Sequence, residues 1–143
     1  MHKNLILKKE RLIASVPARV WTILTSNEWI EQWLGIQMIT DWQVGSPIAF
    51  TITWKEKEIK DKGTILHLEP ETKFSYNYWS IFSATPDTPE NYTVITFELA
   101  PAPEGTLLQL TQSNFSTQQQ YAHSEKHWED TLDTIKKLTE ENT

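Results

Sequence analysis

The chain predicts an α+β fold, with helices at both ends of a long run of strands. Three observations carry this prediction. Leu5 to Ala14 alternates loosely as a strand does, and two short helical stripes follow it. From Ile36 to Ser113 the pattern is that of strands joined by short turns, which pair antiparallel. After Thr117 one long apolar stripe runs almost to the end of the sequence. Helices grouped outside a strand run mark the α+β class rather than alternating βαβ units.

The elements follow in order. The first strand is predicted over 5–14. Ser15-Val16-Pro17 then starts a helix, since serine can cap it and proline is tolerated in the first turn. Val16, Val20 and Leu24 recur at helical spacing, and Trp21 widens that stripe. Thr25-x-x-Glu28 offers a capping box for a second short helix. Trp29, Ile30 and Trp33 share its face, and Gly35 is a plausible stop. Gly45-Ser46-Pro47 is a turn, after which Ile48, Phe50, Ile52 and Trp54 share one face of a strand. Lys55 to Lys62 holds a single apolar residue, Ile59, and is expected to be a solvated hairpin with a frayed strand start. The strand from Gly63 to Glu69 ends at Pro70. Glu71-Thr72 turns the chain into Phe74, Tyr76 and Tyr78, all on one face. Ser83 to Asn91 has two prolines and no period, so it is a loop. Thr93, Ile95, Phe97 and Leu99 line one side of the next strand, and Thr106 to Gln112 pairs back across the turn 101–105.

Thr117-x-x-Gln120 offers a capping box for the last helix. Its stripe is Tyr121, Trp128, Leu132, Ile135 and Leu138. Such a helix extends ~30 Å at 1.5 Å per residue, the span of a small domain. It needs a broad apolar partner, and a curved sheet is the only candidate.

Composition narrows the function. A chain of 143 residues suits one domain over 1–143. The absence of cysteine excludes disulfides, thiolate metal sites and cysteine nucleophiles. No apolar run is long enough to span a membrane. Met1-His2-Lys3-Asn4 leads straight into the first strand rather than into a signal peptide, so a cytoplasmic location is expected. The net charge of −6 opposes nucleic-acid binding and anionic membrane surfaces. Seven tryptophans in a domain that is 11% aromatic either fill a core or line a cavity.

Val20-Trp21-x-x-Leu24, Trp33, Gly63-Thr64-Ile65-Leu66-His67-Leu68-Glu69-Pro70, Thr106 to Thr111 and Trp128-x-x-x-Leu132 occur in this order. In that order they resemble the single-domain bacterial members of the activator of heat shock protein 90 ATPase homologue family. That family belongs to the START-like, Bet v 1-like (SRPBCC) superfamily. The resemblance covers residues 5–138. It implies a helix-grip (Bet v 1-like) fold: a curved antiparallel seven-stranded sheet around the long C-terminal helix, with two short helices after strand 1, here 17–25 and 27–34. It also implies an interior cavity for an apolar or amphipathic small molecule, and its name raises a chaperone as a further partner. The sequence departs from many relatives at His127, where they carry glycine before the helix tryptophan, and this bears on the cavity's shape. The eukaryotic activator meets the chaperone through a separate N-terminal domain, which has no counterpart in the residues read here.

Catalytic motifs are absent. There is no GxSxG elbow and no phosphate loop. His123 and His127 stand at i, i+4 around Glu125, a spacing that can chelate a metal, but no third ligand is visible. No metal, no cofactor and no catalytic residue is assigned. His67 alternates with Ile65 and can point inward, to orient a ligand group or act as a base. The expected function is therefore binding of an apolar or amphipathic small molecule between sheet and helix, by a monomer or homodimer. The expected lining is Trp33, Phe50, Trp54, His67, Tyr76, Tyr78, Phe97, Leu108, Trp128, Leu132 and Ile135. Two alternatives stand beside it: a cyclase- or hydrolase-type enzyme using His67 or a cavity tyrosine, and a co-chaperone-like interaction module.

Overall fold

The computed structural model describes residues 4–142, and its elements follow the predicted order. Strand β1 (Ile6–Ile13) precedes helices α1 (Pro17–Thr25) and α2 (Asn27–Leu34). Strands β2 (Gln37–Ile39), β3 (Pro47–Trp54), β4 (Lys57–Glu69), β5 (Lys73–Trp79), β6 (Thr93–Ala102) and β7 (Gly105–Ser113) follow, and α3 (Gln118–Glu141) closes the chain. The seven strands form one antiparallel sheet in the order β1-β7-β6-β5-β4-β3-β2. The open sheet curls around α3, which gives the helix-grip architecture.

Alternation sets which side chains face α3. Thr93, Ile95, Phe97 and Leu99 of β6 are buried, as are Thr106, Leu108, Leu110 and Gln112 of β7. On the edge strand β1 the inward positions are Leu7, Lys9, Arg11 and Ile13. The two cations there meet acidic residues of the helix. Lys9 Nζ lies 2.5 Å from Glu129, and Arg11 pairs with both Glu129 and Asp133. Lys136 donates to the Leu12 carbonyl at 2.7 Å, and Glu140 accepts from the Ala14 amide at 2.9 Å. These contacts fasten α3 along an edge that apolar burial alone would not hold in register.

Helix ends depart from the expected caps in α1 and α2. No side chain caps either helix, and the residue before α1 is Val16 rather than a serine. Thr25 does not form the predicted box; its hydroxyl donates back to the Trp21 carbonyl at 2.7 Å. Gly35 ends α2 with φ of 82°, a left-handed conformation that glycine adopts without cost. At α3 the box forms in shifted register. The Thr117 hydroxyl accepts from the Gln120 amide at 3.0 Å, and the Gln120 side chain accepts from the Ser116 amide at 2.7 Å.

The charged segment also differs from expectation. The turn is only Lys55-Glu56, with φ of 50° and 64°, and pairing resumes at once between Trp54 and Lys57. Two positive φ values make the primed type of hairpin turn, for which Asn-Gly is the usual sequence signal. Lys-Glu hides that signal, so β4 is longer than it looks. Asp61, next to last in this charged run, is only 1% exposed.

A β-bulge in β4 corrects the reading of His67. Ile65 pairs with Tyr76, but His67 pairs with Ser75, so Leu66 is an extra residue. The strand therefore changes face after Ile65. Leu68, not His67, turns inward opposite Phe74. His67 lies exposed on the outer face, its Nε2 3.3 Å from Glu69 Oε2.

Candidate functional site

The core is solid at one end of α3 and hollow at the other. At the solid end, Phe97 stands between Trp33 and Trp128, edge to face with both at centroid distances of 5.9 and 5.7 Å. Trp33 Nε1 donates to the Ile23 carbonyl at 2.8 Å, which locks α2 onto α1. Leu108, Leu132 and Ile135 are completely buried in this packing. They belong to the core rather than to a cavity wall.

At the other end a cavity of about 420 Å³ lies between the sheet and the first half of α3. That volume falls in the range of small-molecule sites. Its sheet wall is Phe50 and Ile52 of β3, Asp61 of β4, Tyr76 and Tyr78 of β5, Ile95 of β6 and Gln112 of β7. Its helix wall is Gln120, His123, Ser124, His127 and Trp128, spaced so that one face of α3 presents them all. Leu34 and Ile36 close one side, and Ser80, Phe82 and Ser83 another. Phe82 and His123 are exposed, so the cavity opens to solvent along their side.

Aromatic rings dominate the sheet wall. Phe50 meets Tyr78 edge-on at 5.0 Å and Tyr76 at 5.8 Å. Among them sits the Asp61 carboxylate. Tyr78 donates its hydroxyl to Asp61 Oδ2 at 2.5 Å, and the Ile81 amide donates to Oδ1 at 3.2 Å. Burial, and then the hydrogen bond to Asp61, push the Tyr78 phenol well above its ordinary value. Tyr78 therefore keeps its proton and serves as a donor. Burial pushes the Tyr76 phenol up as well.

Two further polar side chains border the cavity, Tyr76 at 2% exposure and Gln112 at 4%. The Gln112 carbonyl oxygen accepts from Trp128 Nε1 at 2.8 Å. On the helix wall, burial lowers the His127 pKa below the ordinary 6.5, and His123 one turn earlier adds to the shift against a small opposing effect of Asp130. His127 is thus a neutral imidazole at pH 7. No cluster of three metal-ligating side chains occurs among the described residues.

Phe50, Tyr76, Tyr78 and Trp128 of the expected lining come together in this cavity. Trp33, Phe97, Leu108, Leu132 and Ile135 pack in the core instead, and His67 lies on the opposite face of the sheet. The Trp54 side chain lies outside the described residues. Sequence reasoning missed Asp61, Gln112, Ser124 and His127 as wall residues. Alternation was a usable signal for the first two. Asp61 shares its face with Gly63 and Ile65, and Gln112 shares its face with Leu108 and Leu110.

Known proteins agree with this architecture. The family model described as activator of Hsp90 ATPase homolog 1-like protein matches residues 14–140. The solution structure of ChR145 from Cytophaga hutchinsonii is 34% identical, with a TM-score of 0.84 over 99% of this chain and 98% of that one. The crystal structure of MLL2253 from Mesorhizobium loti is 24% identical, with a TM-score of 0.83 over 97% and 99%. The Aha1 dimer from Colwellia psychrerythraea, 19% identical, has the same fold with a TM-score of 0.75 over 95% and 96%. No curated protein sequence matches the chain. With nearly the whole sequence covered by the family model, the chain belongs to the activator of Hsp90 ATPase homolog 1-like family.

Proposed function

We propose that this protein binds a small apolar or amphipathic molecule in the cavity between the sheet and the first half of α3. One observation carries the reading. An aromatic-walled space of about 420 Å³ is also bordered by polar side chains, among them Asp61, Tyr76 and Gln112. A space that merely failed to pack would be lined by apolar atoms alone. Here the apolar wall supplies burial at roughly 25 cal/mol per Å², less the ordering costs of binding. The polar groups supply orientation.

Binding suits the site better than catalysis does. His67, the one histidine that alternation offered as an inward base, is on the outer face. Tyr78 holds its proton, and His127 is not hydrogen-bonded to any nucleophile among the described residues.

Native mass spectrometry after gentle purification, joined to a tryptophan-fluorescence titration with small molecules, tests the reading. Trp128 in the wall makes emission sensitive to occupancy. A ligand at a hundred times its Kd should also stabilise the fold by about 2.7 kcal/mol. A protein that carries nothing and shows neither an emission change nor thermal stabilisation across a broad panel has no such site.

A further inference from the structure

We infer that the molecule bound in this cavity carries an organic cation, an alkylated ammonium or protonated amine on an apolar body, and that the site discriminates against carboxylates. The inference rests on the binding reading above and adds the chemistry of the ligand's polar end.

Two independent features of the wall point to a cation. The first is Asp61. It is 1% exposed, it lines the cavity, and no lysine or arginine lines the cavity with it. Its neighbours Lys60 and Lys62 stand on the other face of β4, where Lys62 pairs with Asp87 at 2.6 Å. The Asp61 oxygens accept one hydrogen bond each, from Tyr78 and from the Ile81 amide, and both donors are neutral. Buried carboxylates are normally paired with a positive charge, and no salt bridge reaches this one among the described residues. The second feature is the set of rings around it. Phe50, Tyr76, Tyr78 and Trp128 line the same cavity, with Phe50 and Tyr78 at right angles 5.0 Å apart. Walls of aromatic rings at steep angles present negative π faces to an enclosed cation. Rings and carboxylate together make a cage suited to an ammonium group.

The same wall disfavours acids. A fatty-acid carboxylate placed here would meet Asp61 with no lysine or arginine in the wall to neutralise either charge. The protein's net charge of −6 acts in the same direction at longer range. The bland alternative is that Asp61 only ties the turn at Ile81 to β4. That role needs an acceptor but no charge, so an asparagine would fill it.

The test compares three probes of one chain length, decyltrimethylammonium, decanol and decanoate, each below its micellar concentration, by calorimetry and tryptophan fluorescence on the intact chain. The expected ranking is ammonium, then alcohol, then carboxylate, with at least about tenfold in Kd between the first and last. Asp61→Asn should bring ammonium to within about twofold of decanol measured on the same variant. Decanoate binding as tightly as the ammonium in the wild-type protein overturns the inference, and this comparison needs no variant to fold. An unchanged ammonium preference in a folded Asp61→Asn protein overturns it too. If decanol binds and charge makes no difference, the cavity reading stands and the cation reading falls. If none of the three binds, the cation reading falls, and the broad panel decides the cavity reading separately.

Discussion

Tyr78 donates to the buried Asp61 carboxylate at 2.5 Å, and the loss of that one donor has a defined cost. Tyr78→Phe keeps the ring and its contact with Phe50 but leaves Asp61 with the Ile81 amide alone. Hydrogen bonds to charged groups contribute about 1.5–3 kcal/mol, so urea unfolding should show a loss of that size with an unchanged m value. His127 gives a prediction with a pH sign. Its folded pKa is lowered, so the unfolded chain binds the extra proton once pH falls through the unfolded value near 6.5. The contribution is fully present above that value and is lost as pH falls toward the folded pKa. The thermal midpoint should therefore drop as pH falls below about 6.5, and drop less in His127→Asn. Equal drops in both proteins would clear His127 of this role. Glu129 and Glu140, whose pKa values lie below 4.5, titrate beneath that window.

At the scale of the element, β4 carries the most information per residue. Gly63 passes so close to β5 that a Cβ there would lie 2.2 Å from the Asn77 carbonyl oxygen and 3.0 Å from the Phe50 ring. The backbone of β5 cannot retreat without breaking its ladder. Gly63→Ala should thus cost about 3 kcal/mol or more and displace Phe50 in the cavity wall. A chemical-denaturation midpoint close to wild type would refute that. The cap of α3 is a milder case. Thr117→Ala should lose about 1 kcal/mol by removing the acceptor for the Gln120 amide, and Thr117→Ser should retain it. The cap of α3 and β4 from Gly63 onward are legible in the sequence, because a capping box and a strand face are local patterns, whereas the charged start of β4 is not. Nor is the bulge at Leu66. It is a mismatch in count between two strands, and the sequence of β4 alone carries no record of how β5 pairs with it. That one residue moved His67 from the expected site to the outer surface.

Across the whole molecule, α3 has two halves with different tasks. Gln120, His123, Ser124 and His127 face the cavity, whereas Leu132 and Ile135 fill the core. Trp128 sits at the boundary and serves both, through the cavity wall and through its contact with Phe97. Leu132→Ala should therefore destabilise the protein by about 2–5 kcal/mol yet leave the ranking of ligands unchanged. A changed ranking in a folded Leu132→Ala protein would mean that the two halves are not separate. The stripe of apolar residues foretold that α3 lies on the sheet. It did not foretell where contact stops, because that depends on how far the sheet curls away from the helix.

The α+β class, the element order and the inward faces of β5, β6 and β7 lie in the sequence itself, because a period of 2 or 3.6 is a property of neighbouring residues. Four of the aromatic members of the cavity wall, Phe50, Tyr76, Tyr78 and Trp128, could be named from the same periods, and Phe82 could not. Only the tertiary structure decided that Asp61, buried inside a charged run, joins them, and that Trp33, Phe97 and Leu132 close the core instead. The reason is physical. Burial of a charged side chain and the position of an empty volume are set by strand register and curvature between segments far apart in the chain. Alternation puts Asp61 on the face of Gly63 and Ile65, but no local pattern shows that this face is covered there or where the volume stays empty.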